Sequence, residues 1–255
     1  MTNYKVRDNG GNGNFPFPGR RECLVEVVFI VDSSESARYL YDQEKQFVKE
    51  LSTELNGLNL EDYNLDIRMA LLQYSSSAVP VHRLVDWINL ESFHRKIDRM
   101  SLLAKGTFTA LAINKAADMV KNEKRSKSVR IVVLMNVGAD HPSSPDAVTA
   151  ALAAKGNDIK IFVLGLSGVD LQTDSQNKLL AIASSPTETY FHKLNEPQLK
   201  NKLLKHMILC FVFLAENCCT GTVLLCARKR RERLVRPSWR ERIPRGWRVS
   251  WSKRR

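Results

Sequence analysis

Several common signatures of catalysis are absent from this sequence of 255 residues. It contains no P-loop, no nucleophile elbow and no dinucleotide-binding fingerprint, and its Gly-rich residues 10–13 neither follow a strand pattern nor precede a helix pattern. No two histidines have the spacing of metal ligands on one helix, so we interpret all five as surface or packing residues: His82, His94, His141, His192 and His206. These absences argue against an enzyme.

Cysteine is missing from the whole middle of the chain, between residues 24 and 209; the five cysteines are Cys23, Cys210, Cys218, Cys219 and Cys226. This spacing excludes a C-x-x-C metal site or a catalytic thiol within that span. Cys23 precedes the first strand pattern and Cys210 follows the last helix pattern, so a disulfide between them would join the two ends of a domain in an oxidising compartment. Two unrelated thiols are the alternative.

Acidic residues are scarce only at the carboxyl end. Residues 228–255 hold 13 Lys/Arg and 2 Asp/Glu, a net charge of +11 out of the total of +12. The remaining chain is therefore nearly neutral, which does not favour a nucleic-acid-binding domain. An apolar signal segment is also missing after Met1, so no signal peptide is expected in the chain as given.

The last part of the chain, residues 211–255, is hydrophobic at first and then rich in Arg and Trp. Residues 207–227 are mostly apolar, but Glu216 and Asn217 divide them, which weakens the pattern of a membrane span. We predict a disordered tail with nonspecific affinity for polyanions. The alternative function is a protein that associates with membranes or polyanions through residues 207–255.

The most informative stretch joins an apolar run, residues 24–31, to Asp32-Ser33-Ser34-Glu35-Ser36. Such a run is typical of a strand buried on both faces of a parallel sheet. Ligands of open α/β sheets bind beyond the carboxyl ends of the strands, where these oxygen donors suit Mg²⁺. Asp and Ser after a strand also cap helices, so Ser34 or Ser36 as a simple cap remains open.

Strand and helix patterns alternate through the middle of the chain. Strands are predicted over 24–31, 65–74, 79–85, 129–135, 159–166 and 190–192, and helices over 36–55, 88–100, 109–121, 145–155, 175–184 and 196–209. This order predicts an α/β domain, doubly wound, with a mostly parallel central sheet and helices on both faces. The predicted organisation is a flexible leader (1–22), the α/β domain (23–210) and the tail (211–255).

These patterns together resemble the von Willebrand factor type A domain. The resemblance rests on Asp32-x-Ser34-x-Ser36 after the first strand, on Thr107 in Gly-Thr-x-Thr before a helix, and on the flanking cysteines. Residues 22–35 are most similar to the A domains of collagen VI chains of the long alpha-4, alpha-5 and alpha-6 type. The resemblance implies a metal-ion-dependent adhesion site whose ligands are Asp32, Ser34, Ser36 and Thr107.

One residue departs from the family pattern. The family has an Asp ligand after the middle strand, usually in Thr-Asp-Gly, whereas this chain has Asn136-Val137-Gly138. Val137 removes one charge and one oxygen, and divalent affinity depends on both. Asn136 or Asp140 compensates only if the loop bends to suit. We therefore expect a degenerate site that binds Mg²⁺ weakly or not at all.

The resemblance also implies a function: a secreted, non-catalytic module of the extracellular matrix that binds matrix proteins or collagen chains in assembly or adhesion. The expected contact surface consists of the loops Ser33–Ser36, Thr107–Thr109 and Gly138–Pro142, which we call the crown. Neither a nucleic acid nor a membrane is expected as the main partner.

Overall fold

A six-stranded sheet forms the centre of the molecule in the computed structural model, which describes residues 21–60, 63–136, 139–165 and 173–218. The strands are β1 (Arg21–Asp32), β2 (Tyr63–Tyr74), β3 (Ala78–His82), β4 (Val129–Asn136), β5 (Ile159–Gly165) and β6 (Phe191–Lys193). Their order is β3-β2-β1-β4-β5-β6, and only the β2–β3 pair is antiparallel. The predicted fold class is confirmed.

Strand β1 occupies the middle of the sheet because its side chains are apolar on both faces. It pairs with β2 from Arg21 to Asp32 and with β4 from Val25 to Ile30, and residues 27–34 are all buried. Residues that avoid water on both sides stabilise a strand only where helices cover both faces. The order of strands reverses between β1 and β4, so the carboxyl end of β1 lies at the switch point where ligands of such sheets bind.

Seven α-helices cover the sheet within the described ranges: α1 (Tyr41–Asn56), α2 (Leu90–Asp98), α3 (Thr109–Glu123), α4 (Ala147–Gly156), α5 (Thr173–Ile182), α6 (Thr187–Tyr190) and α7 (Leu199–Cys218). Helices α1, α2 and α7 pack together on one face, and α3, α4 and α5 pack on the other. Short α6 is the only one of these that the sequence patterns did not predict.

The first helix begins later than predicted. Residues Glu35–Ala37 form a 3-10 turn and α1 starts at Tyr41, because the backbone after Asp32 is held by bonds to another loop: the Glu35 N–H donates to the Lys105 carbonyl at 2.9 Å. Tyr39, predicted on the apolar face of that helix, is 91% exposed. The helix over 88–100 is also shorter than predicted, and Ile88 lies outside it, 78% exposed.

The first strand and the last helix extend beyond their predicted ends. Strand β1 already includes Arg21 and Glu22, where the side chain of Asn64 on β2 donates to Glu22 at 2.8 Å. Helix α7 continues to Cys218. The predicted leader up to residue 20 and the tail from residue 219 lie outside the described residues. Among the residues that are described, no helix has both the length and the apolar character needed to cross a membrane.

Cys23 and Cys210, the predicted disulfide pair, are two buried thiols in the structure. The Cys23 thiol donates to the Phe211 carbonyl at 3.9 Å, and the Cys210 sulfur lies 3.1 Å from the Tyr190 hydroxyl. The two ends of the domain do meet, because Cys23 touches the residue next to Cys210. Burial raises the pKa of Cys210.

The histidines are packing or surface residues, as predicted. His82 is buried and lies edge-on to Phe93, and the His192 ring stacks on His206 at a centroid distance of 5.5 Å. Nε2 of His94 lies within hydrogen-bond distance of Ser52 Oγ, at 2.9 Å. Within the described residues, His, Cys, Asp and Glu side chains form no cluster of three or more that could hold a metal ion.

A buried network of ion pairs lies toward the end of the sheet opposite the crown. Glu26 of β1 is fully buried, and its carboxylate accepts from Arg68 of β2 at 2.9 and 3.2 Å and from Arg125 at 2.9 Å. Arg125 lies in the loop from α3 to β4 and also pairs with Asp66. This one carboxylate therefore joins β1 and β2 to the loop that leads into β4.

We expect Glu26→Gln to lower the free energy of unfolding by roughly 3–5 kcal/mol, because Arg68 loses its carboxylate partner and Arg125 keeps only its pair with Asp66. Urea unfolding monitored by circular dichroism measures this change. Glu91→Gln is the matched control, since it breaks an exposed pair with Arg95 one helical turn away and should have little effect. Equal effects of the two substitutions would contradict the structural role of Glu26.

Candidate adhesion site

Asp32 ends β1, and Ser34 and Ser36 lie in the turn after it. Thr107, the fourth predicted metal ligand, lies in the loop before α3. Asp32, Ser34 and Thr107 are buried, whereas Ser36 is exposed on the 3-10 turn. The Ser34 N–H donates to Oδ1 of Asp32 at 3.0 Å, which turns the chain back over the end of β1. The motif therefore combines a buried carboxylate with one buried and one exposed hydroxyl on the same turn.

Backbone hydrogen bonds hold the loops of the crown together. The Phe108 N–H donates to the Ser75 carbonyl at 3.0 Å, and the His141 N–H donates to the Thr107 carbonyl at 2.8 Å. Ser34 pairs with Lys105 as an isolated parallel bridge. Three loops that are distant in sequence thus form one surface, and Thr107 lies at its centre.

A chain of polar groups runs under this surface from α3 to Asp32. The Asn136 side-chain nitrogen donates to Thr109 Oγ1 at 2.7 Å and to the Tyr74 hydroxyl at 2.9 Å, and that hydroxyl lies 3.3 Å from Oδ2 of Asp32. Burial, followed by the charge of Asp32, raises the pKa of Tyr74 well above its usual value. Tyr74 belongs to an apolar strand pattern, so the sequence showed no sign of its role here.

Asn136 and Asp140 are the two residues that the sequence offers in place of the family's Asp ligand. Asn136 presents its amide nitrogen to Thr109 and Tyr74. Asp140 accepts from the Thr109 N–H at 2.9 Å and thereby caps the start of α3. Val137 and Gly138 lie outside the described residues.

A second carboxyl group lies beside Asp32, and the sequence analysis missed it. Glu44 of α1 is fully buried, and its Oε2 accepts from the Asp32 N–H at 2.8 Å. Burial, followed by repulsion from Asp32, raises the pKa of Glu44 well above its usual value. Its signal in the sequence is a charged residue three positions before the apolar pair Phe47 and Val48, on the inner face of the helix.

The oxygen atoms of the four predicted ligands match some of the requirements of a hard divalent cation. Ser34 Oγ is buried without a hydrogen-bond partner among the described residues, as expected of a hydroxyl that binds a metal. Asp32, Ser34, Ser36 and Thr107 would hold the ion through one carboxylate and three neutral oxygens.

An aromatic pair flanks Thr107 on the crown. The rings of Phe108 and His141 stack with centroids 5.1 Å apart and planes 15° apart. Gly106 allows this packing, because a β-carbon there would lie 3.2 Å from both rings. The Ser143 N–H donates to Nδ1 of His141 at 3.1 Å, so the ring has a fixed orientation.

The family model for the von Willebrand factor type A domain matches residues 26–205, most of the chain. The chain belongs to the von Willebrand factor type A domain family. The predicted resemblance to this family is thereby confirmed.

Two relatives show the level of similarity within this von Willebrand factor type A family. The chain is 32% identical to mouse matrilin-2 over 170 residues, which covers 64% of the chain and 16% of matrilin-2. It is 28% identical to the chicken collagen alpha-2(VI) chain over 190 residues, which covers 72% of the chain and 17% of the collagen chain. The chain thus spans less than a fifth of the length of either relative.

Solved structures support the fold independently. Proximal thread matrix protein 1 from the mussel byssus superposes with a TM-score of 0.56 at 15% identity, covering 75% of this chain and 48% of that protein. Another structure of the mussel protein, with a TM-score of 0.52, has zinc in its metal-ion-dependent adhesion site. At this identity the comparison shows a shared fold and nothing about metal binding here.

Proposed function

We propose that this chain is a non-catalytic module of the extracellular matrix that binds matrix proteins or collagen chains through its crown. The observation that carries the proposal is the buried Asp32–Ser34–Thr107 group under three joined loops at the switch point of a von Willebrand factor type A fold. The relatives named as matrilin and collagen VI chains support an extracellular location and protein partners.

The proposed metal site is degenerate, and weak or absent Mg²⁺ binding follows from its donor set. Asp32 is the single carboxylate among the four predicted ligands, and Val137 stands where the family has a second. Asp140 caps α3 and Asn136 donates through its nitrogen, so neither visibly replaces the lost carboxylate. Sites with few charged ligands bind divalent ions only at high concentration.

Titration calorimetry with MnCl₂ tests this part of the proposal. We expect the parent chain to bind with a dissociation constant of about 1 mM or weaker, and Val137→Asp to bind about tenfold more tightly, because it restores charge and an oxygen ligand. Val137→Asn is the matched control that adds an oxygen without charge. Tight binding by the parent that is lost in Asp32→Ala would show that the site is not degenerate.

Solid-phase capture on immobilised collagen VI and collagen I tests the crown as the binding surface. Ser36 is exposed there, so Ser36→Tyr should obstruct the contact and reduce capture by about tenfold or more, as for a residue at the centre of an interface. Ser126→Tyr, exposed in the loop before β4 at the other end of the sheet, is the matched control.

The tail offers the competing explanation of such binding. If capture is unchanged in Ser36→Tyr but is lost when residues 228–231 are changed to Ser, the contact belongs to the basic tail. Steep loss of capture with added salt would accompany that result. Those outcomes would reject the crown as the functional surface and favour a polyanion- or membrane-associated protein.

We also propose that Cys23 and Cys210 form a disulfide in the secreted protein. The contact of the Cys23 thiol with the carbonyl of Phe211, the residue after Cys210, supports this proposal. In the chain-entropy model, so long a closed loop gives a stabilisation of roughly 5 kcal/mol at most. Mass spectrometry of non-reduced peptides from secreted protein should show the cross-linked pair, and two separately alkylated cysteines would contradict the bridge.

A further inference from the structure

A lysine at the edge of the crown has an unusual backbone environment. Residues 103–105 are bonded directly to the Asp32 motif: the Leu103 N–H donates to Ser33 Oγ at 2.8 Å, and the Ala104 N–H donates to the Ser33 carbonyl at 3.0 Å. The Glu35 N–H donates in turn to the Lys105 carbonyl at 2.9 Å. The main chain of Lys105 is therefore fixed beside Ser34.

This position is maintained against conformational strain. Ala104 has a φ of 52°, in the left-handed region where a residue with a β-carbon is disfavoured by roughly 1 kcal/mol or more. Strain of this kind persists where the surrounding contacts determine it, and it is concentrated at functional sites. Here the bonds to Ser33 and Glu35 impose it, and they present the exposed Lys105 next to the predicted ligands.

The surrounding charges leave the ammonium group of Lys105 available. Glu35 and Arg38, the other charged residues of the turn, are paired with each other by two hydrogen bonds of 2.7 Å. Asp140 is used by the cap of α3. Lys105 is exposed and has no ion-pair partner among the described residues, so its positive charge is available at this surface.

We propose that Lys105 binds a carboxylate of the partner protein directly, so that the crown recognises an acidic segment without a divalent cation. This inference rests on the proposed function and specifies its partner chemistry. An ammonium group donates charge-assisted hydrogen bonds to a carboxylate, and the exposed Ser36 hydroxyl on the neighbouring turn offers a further donor. The lysine takes the part that a bound metal ion would otherwise have.

The test is a titration of the ¹⁵N-labelled full chain in EDTA with a capped pentapeptide, acetyl-Gly-Ala-Asp-Ala-Gly-amide, followed by amide chemical shifts. Shifts are read residue by residue, so contacts with the basic tail are distinguished from contacts with the crown. We expect saturable shifts at residues 34–36 and 105–107. Lys105→Gln should raise their midpoint by about tenfold, the usual effect of losing a hydrogen bond to a charged group, and Lys105→Arg should preserve it.

Lys124→Gln is the matched control, because Lys124 is equally exposed but follows α3 at the opposite end of the sheet. Absence of crown shifts in the parent chain, or equal midpoints in the parent and Lys105→Gln, would overturn the proposal. Collagen capture separates the two hypotheses. If Ser36→Tyr abolishes capture and Lys105→Gln leaves it intact, the crown is the binding surface but Lys105 is not its carboxylate ligand.

Discussion

The position of β1 in the middle of the sheet is the constraint on which the rest of the structure depends. Its apolar residues require helices above and below the sheet. Its backbone hydrogen bonds are made to β2 and β4 at its two edges. Because the chain leaves β1 at the point where the strand order reverses, Asp32 emerges in the crevice that such sheets use for binding. Fold and site therefore have one physical origin.

Buried charge is handled differently at the two ends of this strand. At its start, Glu26 is neutralised by two arginines, and the network joins three segments of the domain. At its end, Asp32 lies beside the buried Glu44, whose pKa is raised by burial, and beside Tyr74. One end of the strand is thus a compensated ion-pair network, whereas the other has a buried carboxylate and a Ser34 hydroxyl that lacks a hydrogen-bond partner among the described residues.

The loops of the crown are joined to one another by hydrogen bonds between protein groups. Direct hydrogen bonds from Ser33, Thr107 and Phe108 to neighbouring loops hold this surface together. The exposed Lys105 and the stacked Phe108–His141 pair lie beside these loops.

Local sequence was enough to predict the alternation of strands and helices and the fold class, because burial patterns are encoded by neighbouring positions. It was wrong about the start of α1 and the burial of Tyr39, since bonds from the distant Lys105 segment determine the turn after Asp32. Glu44, Tyr74 and Lys105 likewise acquire their roles only when α1, β2 and the loop before α3 converge on the end of β1. Contacts between segments far apart in the chain, which no local pattern contains, decided the environment of the site.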